Sequence, residues 1–489
     1  MTDPQKTTNA PQRVIPIKAE EAAFDAAKAA RREEIVSLYK KTEKVYAREV
    51  TGWFTNWRWV MVWVTQLVFY VTPWLYWNDR QAVLFDLGTR RFYLFNLVLY
   101  PQDLVYLTAL LVISAYGLFL FTTVAGRLWC GYACPQSVYT EMFMWIEHKI
   151  EGDRSARLRL DASPWTFEKI RKKFLKQAVW VAVALWTGFT FVGYFVPIRE
   201  LGPELLAFSG GWQIFWVFFY GLATYGNAGF MREQVCKYMC PYARFQSAMF
   251  DRDTLIVTYD EARGEPRGPR VKTVDYKAKG LGDCIDCTLC VQVCPVGIDI
   301  RKGLQYECIG CGLCVDACNT VMDKMHYPRG LIRYSTQNGV LHRWSQSQIL
   351  RHVLRPRVLI YTAVLVALCV GMLASLATRT PLKVDIVRDR AALSRIVAGG
   401  KLENVYRLQI MNATEAAQRY RIAASGLDGL EVASEQEIEI GAAESRWVAV
   451  RLQIPYGSVA PGSHTIHFDI SAPENGDKVT EKSIFLVPR

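Results

Sequence analysis

From Leu382 to its C-terminus the chain has no cysteine, although 13 lie upstream. Exported disulfide proteins carry their cysteines in the exported domain, so this distribution argues against a disulfide scaffold and for reduced thiols that bind metal. The first 50 residues lack an apolar stretch, and no cleavable signal peptide is expected. Charged residues are few, 21% against 51% hydrophobic, and they are segregated from long runs rich in Trp, Phe and Tyr. That pattern suggests a membrane protein with soluble parts, and a net charge of +12 suits loops beside an anionic lipid bilayer. A basic chain could instead bind nucleic acid. Its basic residues flank apolar runs, however, and no DNA- or RNA-binding motif is present, so no nucleic-acid partner is expected. At 489 residues there is room for two or three domains.

Five runs are apolar enough, and about long enough, to cross a hydrocarbon core of roughly 30 Å. They extend from Trp57 to Trp77, Leu104 to Gly126, Leu175 to Phe195, Trp212 to Phe230 and Val358 to Thr378. The stretch Phe92 to Tyr100 is too short to span and follows Arg90-Arg91, which predicts a place at the membrane surface. Basic residues crowd before the first run (Lys40, Lys41, Lys44, Arg48), between the second and third (Arg154 through Lys176), and between the fourth and fifth, up to Arg355 and Arg357. The other two loops hold only Arg80, Arg90, Arg91 and Arg199. The positive-inside rule therefore puts the N-terminus and the cysteine-rich region in the cytoplasm, and five crossings put the C-terminal region outside. Glu20 to Lys44, charged and Ala-rich, reads as a helix on or near the membrane. From Lys383 onward apolar and polar residues alternate, as in Tyr406-Arg407-Leu408-Gln409-Ile410, with turn residues such as Asn412, Gly426 and Pro461-Gly462 between. This predicts a β-sandwich of immunoglobulin-like kind.

Eight cysteines form two runs: Cys284, Cys287, Cys290 and Cys294-Pro295, then Cys308, Cys311, Cys314 and Cys318. This is the bacterial ferredoxin spacing, in which the fourth cysteine of each run ligates the other cluster. One [4Fe–4S] cluster is thus expected on Cys284, Cys287, Cys290 and Cys318, and the second on Cys308, Cys311, Cys314 and Cys294. Gly310 and Gly312 ease the tight turns. Zinc also binds four cysteines, but usually through two separated Cys-x-x-Cys pairs. Asn319 stands where the usual pattern has Pro after the last ligand, which touches only local geometry.

A second cysteine motif occurs twice: Cys130-Gly131-Tyr132-Ala133-Cys134-Pro135 after the second run, and Cys236-Lys237-Tyr238-Met239-Cys240-Pro241 after the fourth. The shared Tyr and Pro mark an internal repeat, which would bring both motifs together at the cytoplasmic membrane face. The spacing puts two sulfurs on one helical face, and the Pro predicts a bend at the second cysteine. Four thiolates there could take Cu(I), zinc or an iron–sulfur cluster, cycle as a dithiol, or simply pack as small residues. Met142, Met144, Met231 and Met239 are auxiliary thioethers or packing filler. His148 is a ligand or an interfacial residue without a role. Arg127 and Arg232 are anchors or electrostatic tuners, and Cys369 reads as packing.

With these motifs the chain resembles the CcoG family, also called FixG or RdxA, accessory proteins for assembly of cbb-type cytochrome oxidase. The resemblance covers nearly the whole length. It includes Val45-Tyr46-Ala47-Arg48-Glu49-Val50-Thr51-Gly52, Arg80 through Leu87, Gly126-Arg127-Leu128-Trp129-Cys130, the double ferredoxin region and the β-tail. It implies a cupric reductase supplying Cu(I), with Cys130, Cys134, Cys236 and Cys240 as catalytic, copper-handling residues. It also implies a bacterial inner-membrane location with a periplasmic immunoglobulin-like module, and as partners the oxidase, copper chaperones or a copper transporter. The electron donor is unidentified, and copper within one subunit or between two, in a homo-oligomer, both stay open. Two other functions compete: an electron conduit between quinol or ferredoxin and a partner reductase, and a non-catalytic assembly scaffold.

The expected architecture is a multi-domain membrane protein. An α-helical transmembrane bundle carries an inserted α+β bacterial-type double ferredoxin domain and a C-terminal all-β immunoglobulin-like sandwich. The segments are 1–56 (cytoplasmic), 57–250 (four-helix membrane region with both Cys-x-Tyr-x-Cys-Pro motifs), 251–356 (cytoplasmic ferredoxin-like region), 357–379 (fifth helix) and 380–489 (periplasmic sandwich).

Overall fold

The computed structural model describes residues 44–272, 275–389 and 394–488. The expected helix from Glu20 to Lys44 lies, except for Lys44, outside the described residues. The chain forms two units, Met1–Tyr46 and Ala47–Arg489. Residues 44–46 of the first have no helix or strand, and the architecture below is that of the second.

Ten helices frame the site: α1 (Trp53–Val71), α2 (Leu104–Ala125), α3 (Leu128–Tyr132), α4 (Pro135–Glu151), α5 (Phe167–Val192), α6 (Ile198–Leu206), α7 (Gly211–Thr224), α8 (Pro241–Met249), α9 (Leu313–Met325) and α10 (Pro356–Ala377). Among the described residues, three stretches are long and apolar enough to cross a membrane: Pro101–Ala125, Phe167–Val192 and Pro356–Ala377. A fourth, Ile198–Leu206 with Gly211–Met231, qualifies only as a pair bent by 98°. The first expected span, α1, falls short because Asn56, Arg58 and Gln66 interrupt its 19 residues, although Trp57, Trp63, Val64 and Val68 are exposed. Several apolar helices thus fit a membrane protein. α5 and α7 approach so closely that a Cβ on Gly188 would lie 2.3 Å from the Val217 carbonyl oxygen, the small-residue packing that apolar helices use. α10 runs along α2, where Tyr106 donates to the Ser375 carbonyl at 3.2 Å and Tyr116 meets Tyr361 edge-on.

The ferredoxin region is closed by two antiparallel strands, Ile256–Tyr259 and Ile332–Ser335. Val257, Tyr259, Val315, Met322, Leu331 and Ile332 form its core. α9 from this region also holds the start of α1. The Asp316 carboxylate accepts from Thr55 N at 2.8 Å, Thr55 Oγ1 at 2.9 Å and Phe54 N at 3.4 Å. Those amides have no partner within α1, and the negative charge suits its N-terminus. A Cβ on Gly52 would lie 2.2 Å from Asp316 Cγ, so only glycine admits this contact.

The C-terminal region is a two-sheet sandwich. One sheet runs Glu431–Val432, Ser445–Pro455, Lys401–Asn412, Leu382–Arg388, with Arg395–Val397 also on the third strand; the other runs Glu437–Ile440, Gln418–Ser425, Gly462–Ser471, Lys478–Val487. Alternate residues Tyr406, Leu408 and Ile410 face Ile466, Phe468 and Ile470 in one buried core, as the period-two pattern requires. The stretch Phe92 to Tyr100, too short to span, is not helical. It supplies Arg91–Leu94 and Leu97–Leu99 to a three-stranded sheet with Val83–Asp86. Leu84, Tyr93, Val98 and Tyr100 of this sheet and its end pack against Met411, Ala413 and Ala443 of the sandwich. Its apolar side chains bury against a partner that lies more than 300 residues away in sequence, which no local pattern reveals.

Replacing Asp316 by Ala leaves the first amides of α1 unbonded and is expected to cost about 1–2 kcal/mol. A lowered thermal midpoint of the detergent-solubilised protein checks this; an unchanged midpoint would rule the cap out as a tie.

Candidate iron–sulfur and thiol site

Two adjoining cavities lie inside the ferredoxin region. One, about 380 Å³, is lined by Cys284, Cys287, Cys290 and Cys318 among Tyr259, Leu289 and Ile332. The other, about 370 Å³, is lined by Cys294, Cys308, Cys311 and Cys314 among Val257, Val296 and Leu313, and Cys290 reaches it too. The two cysteine loops share a backbone. Gly310 (φ 63°) and Gly312 (φ 75°) have left-handed counterparts at the same offsets in Asp286 and Thr288, both at φ 56°. For non-glycine residues that conformation costs about 1–2 kcal/mol each, so the first loop holds strain that the second avoids.

Burial pushes the thiols of Cys290, Cys308 and Cys318 up to about 12 and that of Cys311 up to about 11. Such thiols ionise only against a cation. Among the described residues no three His, Cys, Asp or Glu side chains converge on a single ion. Four soft donors around an otherwise apolar cavity fit a [4Fe–4S] cluster better than one zinc ion. Cys284, Cys287, Cys290 and Cys318 would hold one such group, and Cys294, Cys308, Cys311 and Cys314 the other.

The two Cys-x-Tyr-x-Cys-Pro motifs meet beside the second cavity. Cys134 and Cys240 are extended, with ψ 127° and 112°, and Pro135 and Pro241 start α4 and α8, as proline demands of its neighbours. Cys130 sits in the single turn α3, and Cys236 in a wide turn, Val235–Met239. Neither pair therefore lies along one continuous helix. The thiols are nonetheless close enough to influence one another: Cys236 feels Cys134, Cys130 and Cys240, and burial pushes it up to about 12. Cys130 is pushed up to about 11 by burial, opposed by Gln246, whose Nε2 lies 3.4 Å from its sulfur, and by the Arg127 charge.

The first motif abuts the second cluster loop. A Cβ on Gly131 would lie 2.8 Å from the Ile309 carbonyl oxygen and 2.9 Å from Cys311 Cα. Tyr132 donates to the Cys311 carbonyl at 3.2 Å, and Cys130, like Cys294 and Cys308, packs against the buried core that contains Ile309 and Cys311. From the second motif Lys237 donates to the Val296 carbonyl at 3.0 Å. The shared Tyr does not repeat its role, since Tyr238 is 63% exposed.

Arg127 and Arg232 are both buried. Arg127 donates to the Ala243 carbonyl, and Arg232 pairs with Glu147 at 2.9 Å. Glu147 also meets Arg157 at 3.2 Å and Lys176 at 3.6 Å, tying α4, α5 and the approach to the second motif. Sequence reasoning missed this network because its members are separated by up to 85 residues. His148 does not join the thiols: its Nε2 lies 3.0 Å from Glu49 Oε2. Met142 packs around Phe143 and Trp180, Met239 is exposed, and Cys369 lies on α10.

Three family descriptions match the chain. A 4Fe-4S binding domain covers residues 107–152, a 4Fe-4S dicluster domain residues 231–337, and the immunoglobulin-like fold at the C-terminus of FixG residues 372–488. Protein RdxA of Cereibacter sphaeroides is 38% identical over 467 residues, 92% of this chain and 98% of its own. The chain belongs to the FixG/RdxA family. Protein RdxB of the same organism is 40% identical over 79% of this chain and 83% of its own. The nitrogen fixation protein FixG of Rhizobium meliloti is 38% identical over 77% and 78%. This FixG/RdxA member thus has iron–sulfur domains, an immunoglobulin-like C-terminal domain and several apolar helices.

Removing Glu147 as Ala would leave three cations without their shared carboxylate. A loss of about 3–5 kcal/mol is expected, read as a lower denaturant midpoint with α4 and α5 loosened. Gly131→Val should separate α3 from the Cys308–Cys314 loop and slow electron transfer out of reduced protein, with iron content unchanged; stopped-flow reoxidation checks this.

Proposed function

We propose that this protein is a membrane-bound iron–sulfur oxidoreductase that reduces Cu(II) to Cu(I) for assembly of the copper centre of a cbb-type oxidase. The observation that carries the reading is the backbone contact between Gly131, inside the first thiol motif, and the Ile309–Cys311 loop. The [4Fe–4S] clusters, when bound, supply one-electron transfer. The chain supplies the rest. Cys130, Cys134, Cys236 and Cys240 are soft donors that favour Cu(I), so product binding draws the reduction forward. Arg127 offsets thiolate charge at both motifs, and apolar packing around Cys130 keeps water from the contact.

The basic flanks support a cytoplasmic ferredoxin region and a periplasmic sandwich. Copper chaperones, a copper transporter or the oxidase itself are the proposed recipients. The name of the Rhizobium meliloti relative, a nitrogen fixation protein, is in keeping with a role in assembling redox enzymes. One observation favours a second reading: the 4Fe-4S binding match at 107–152 contains only Cys130 and Cys134. The four motif thiols would then hold a third cluster instead of copper.

Dithionite-reduced protein titrated anaerobically with Cu(II) should reoxidise its clusters in step with Cu(I) formation, read with a Cu(I)-specific chelator. Cys130→Ser and Cys236→Ser should abolish this while two clusters' worth of iron remains. Absence of reoxidation would refute copper as acceptor, and iron for three clusters, lost in these variants, would establish the second reading.

A further inference from the structure

The two cluster cavities differ in the charge around them, and three cations stand about the second. Arg58, buried on α1, donates from Nε to the Gly131 carbonyl at 3.1 Å and pairs through Nη2 with Glu141 at 2.9 Å. A Cβ on Gly131 would lie 2.9 Å from Cys311 Cα, so this guanidinium is fastened to backbone that abuts a cluster ligand. Arg127, also buried, donates to the Ala243 carbonyl, and its backbone carbonyl carbon would lie 3.2 Å from a Cβ on Gly310. Lys237 donates from Nζ at 3.0 Å to the carbonyl of Val296, which lines the cavity two residues after Cys294. Among the described residues, only Arg58 of the three forms an ion pair. Asp316, a further carboxylate on this side, is occupied by the first amides of α1.

These charges reach the thiols. Burial pushes Cys311 up to about 11, and Arg58 opposes it. Burial pushes Cys308 up to about 12, opposed by the Gly310 amide and by Arg127. Cys294 is likewise raised by burial, and lowered by the amides of Val296, Gly297 and Ile298 and by Lys237. At the first cavity the cation acting on Cys290 is Arg301. Asp299 accepts from its Nε and its Nη2 at 2.8 Å each, and Asp286 accepts from its Nη1. Arg267, 4.0 Å from Asp286, is matched by Glu265 at 3.4 Å. Carboxylates are thus in excess beside the first cavity and cations beside the second.

Reduction adds negative charge to a cluster, which burial resists and nearby cations favour. Cys287 of the first set is exposed, whereas Cys311 of the second is buried, so burial by itself would make the second cluster the harder to reduce. We infer that Arg58, Arg127 and Lys237 reverse this order: they raise the reduction potential of the cluster held by Cys294, Cys308, Cys311 and Cys314 above that of the other. The inference rests on the iron–sulfur reading of the Proposed function and holds whatever the acceptor at the thiol motifs. An electron taken up at the exposed Cys287 edge then moves downhill and rests beside the Gly131 contact. The three cations are positioning residues, since they ligate nothing and act through their charge.

The test uses the full-length, cluster-loaded protein in detergent without oxygen, titrated with dithionite against mediator dyes. Each midpoint is read by low-temperature electron paramagnetic resonance, and two one-electron steps are expected. R58Q and K237Q should each lower the higher midpoint and leave the lower one in place. The electron's distribution between the clusters should shift on the order of tenfold, which is 59 mV for a one-electron couple. R58K, which keeps the charge, should stay near wild type. D286N, at a left-handed position (φ 56°) that Asn accepts, should instead raise the lower midpoint. Iron content is measured for every variant, and if R58Q loses iron the half-buried Lys237 decides through K237Q. Lowering of the lower midpoint by R58Q or K237Q, an equal shift of both, no shift, or R58K matching R58Q would overturn the charge bias alone. Absence of any cluster signal in dithionite-reduced wild type would overturn the iron–sulfur reading beneath it.

Discussion

The approach of Gly131 to the Ile309–Cys311 loop sets the distance between two thiol systems, and most of the surrounding structure serves to keep it. No side chain fits between them: a single Cβ would lie within 3.0 Å of three backbone atoms. Arg58 reinforces the contact from α1, donating from Nε to the Gly131 carbonyl at 3.1 Å while its Nη2 meets Glu141 at 2.9 Å. Tyr334 donates to the Gly310 carbonyl at 2.5 Å. Arginine, tyrosine and two glycines thus hold one interface that no element could form alone.

Buried charge carries the next layer of order. Glu147 and Glu151 lie in an apolar bundle where an isolated carboxylate would be expensive, yet Arg157, Lys173, Lys176 and Arg232 surround them. Such pairs add little net stability over an apolar core, but the geometry that satisfies them is narrow. They fix the rotation of α4 and α5, and through α4 the position of Cys134. At the other end the sandwich is seated by Arg379 on Asp103 at 2.8 Å and Tyr100 on the Asn412 carbonyl at 3.1 Å.

Much of this was legible in the residues. Thiol spacing announced the iron–sulfur domains, period-two alternation announced the sandwich, and the apolar runs became helices close to their expected limits. α1 was harder, because tryptophans mask the polar Asn56, Arg58 and Gln66 that bind neighbouring elements. The sheet around Tyr93 and Val98 was not foreseen as a seat for the sandwich, because its partners, Met411 and Ala413, are remote in the chain. The left-handed Asp286 and Thr288 were equally hidden, since only glycine advertises that conformation.

Sequence by itself determined what is local: the donor chemistry of the cysteines, the bends at Cys134 and Cys240, and the division into apolar, thiol-rich and alternating segments. These follow from bonded geometry and from hydrophobic period, which act over a few residues. Only the tertiary structure decided which thiols share a cavity wall, that His148 faces Glu49 instead of the sulfurs, and that α10 lies along α2. Those outcomes depend on burying surfaces and charges from distant segments together, and packing in three dimensions alone selects the partners.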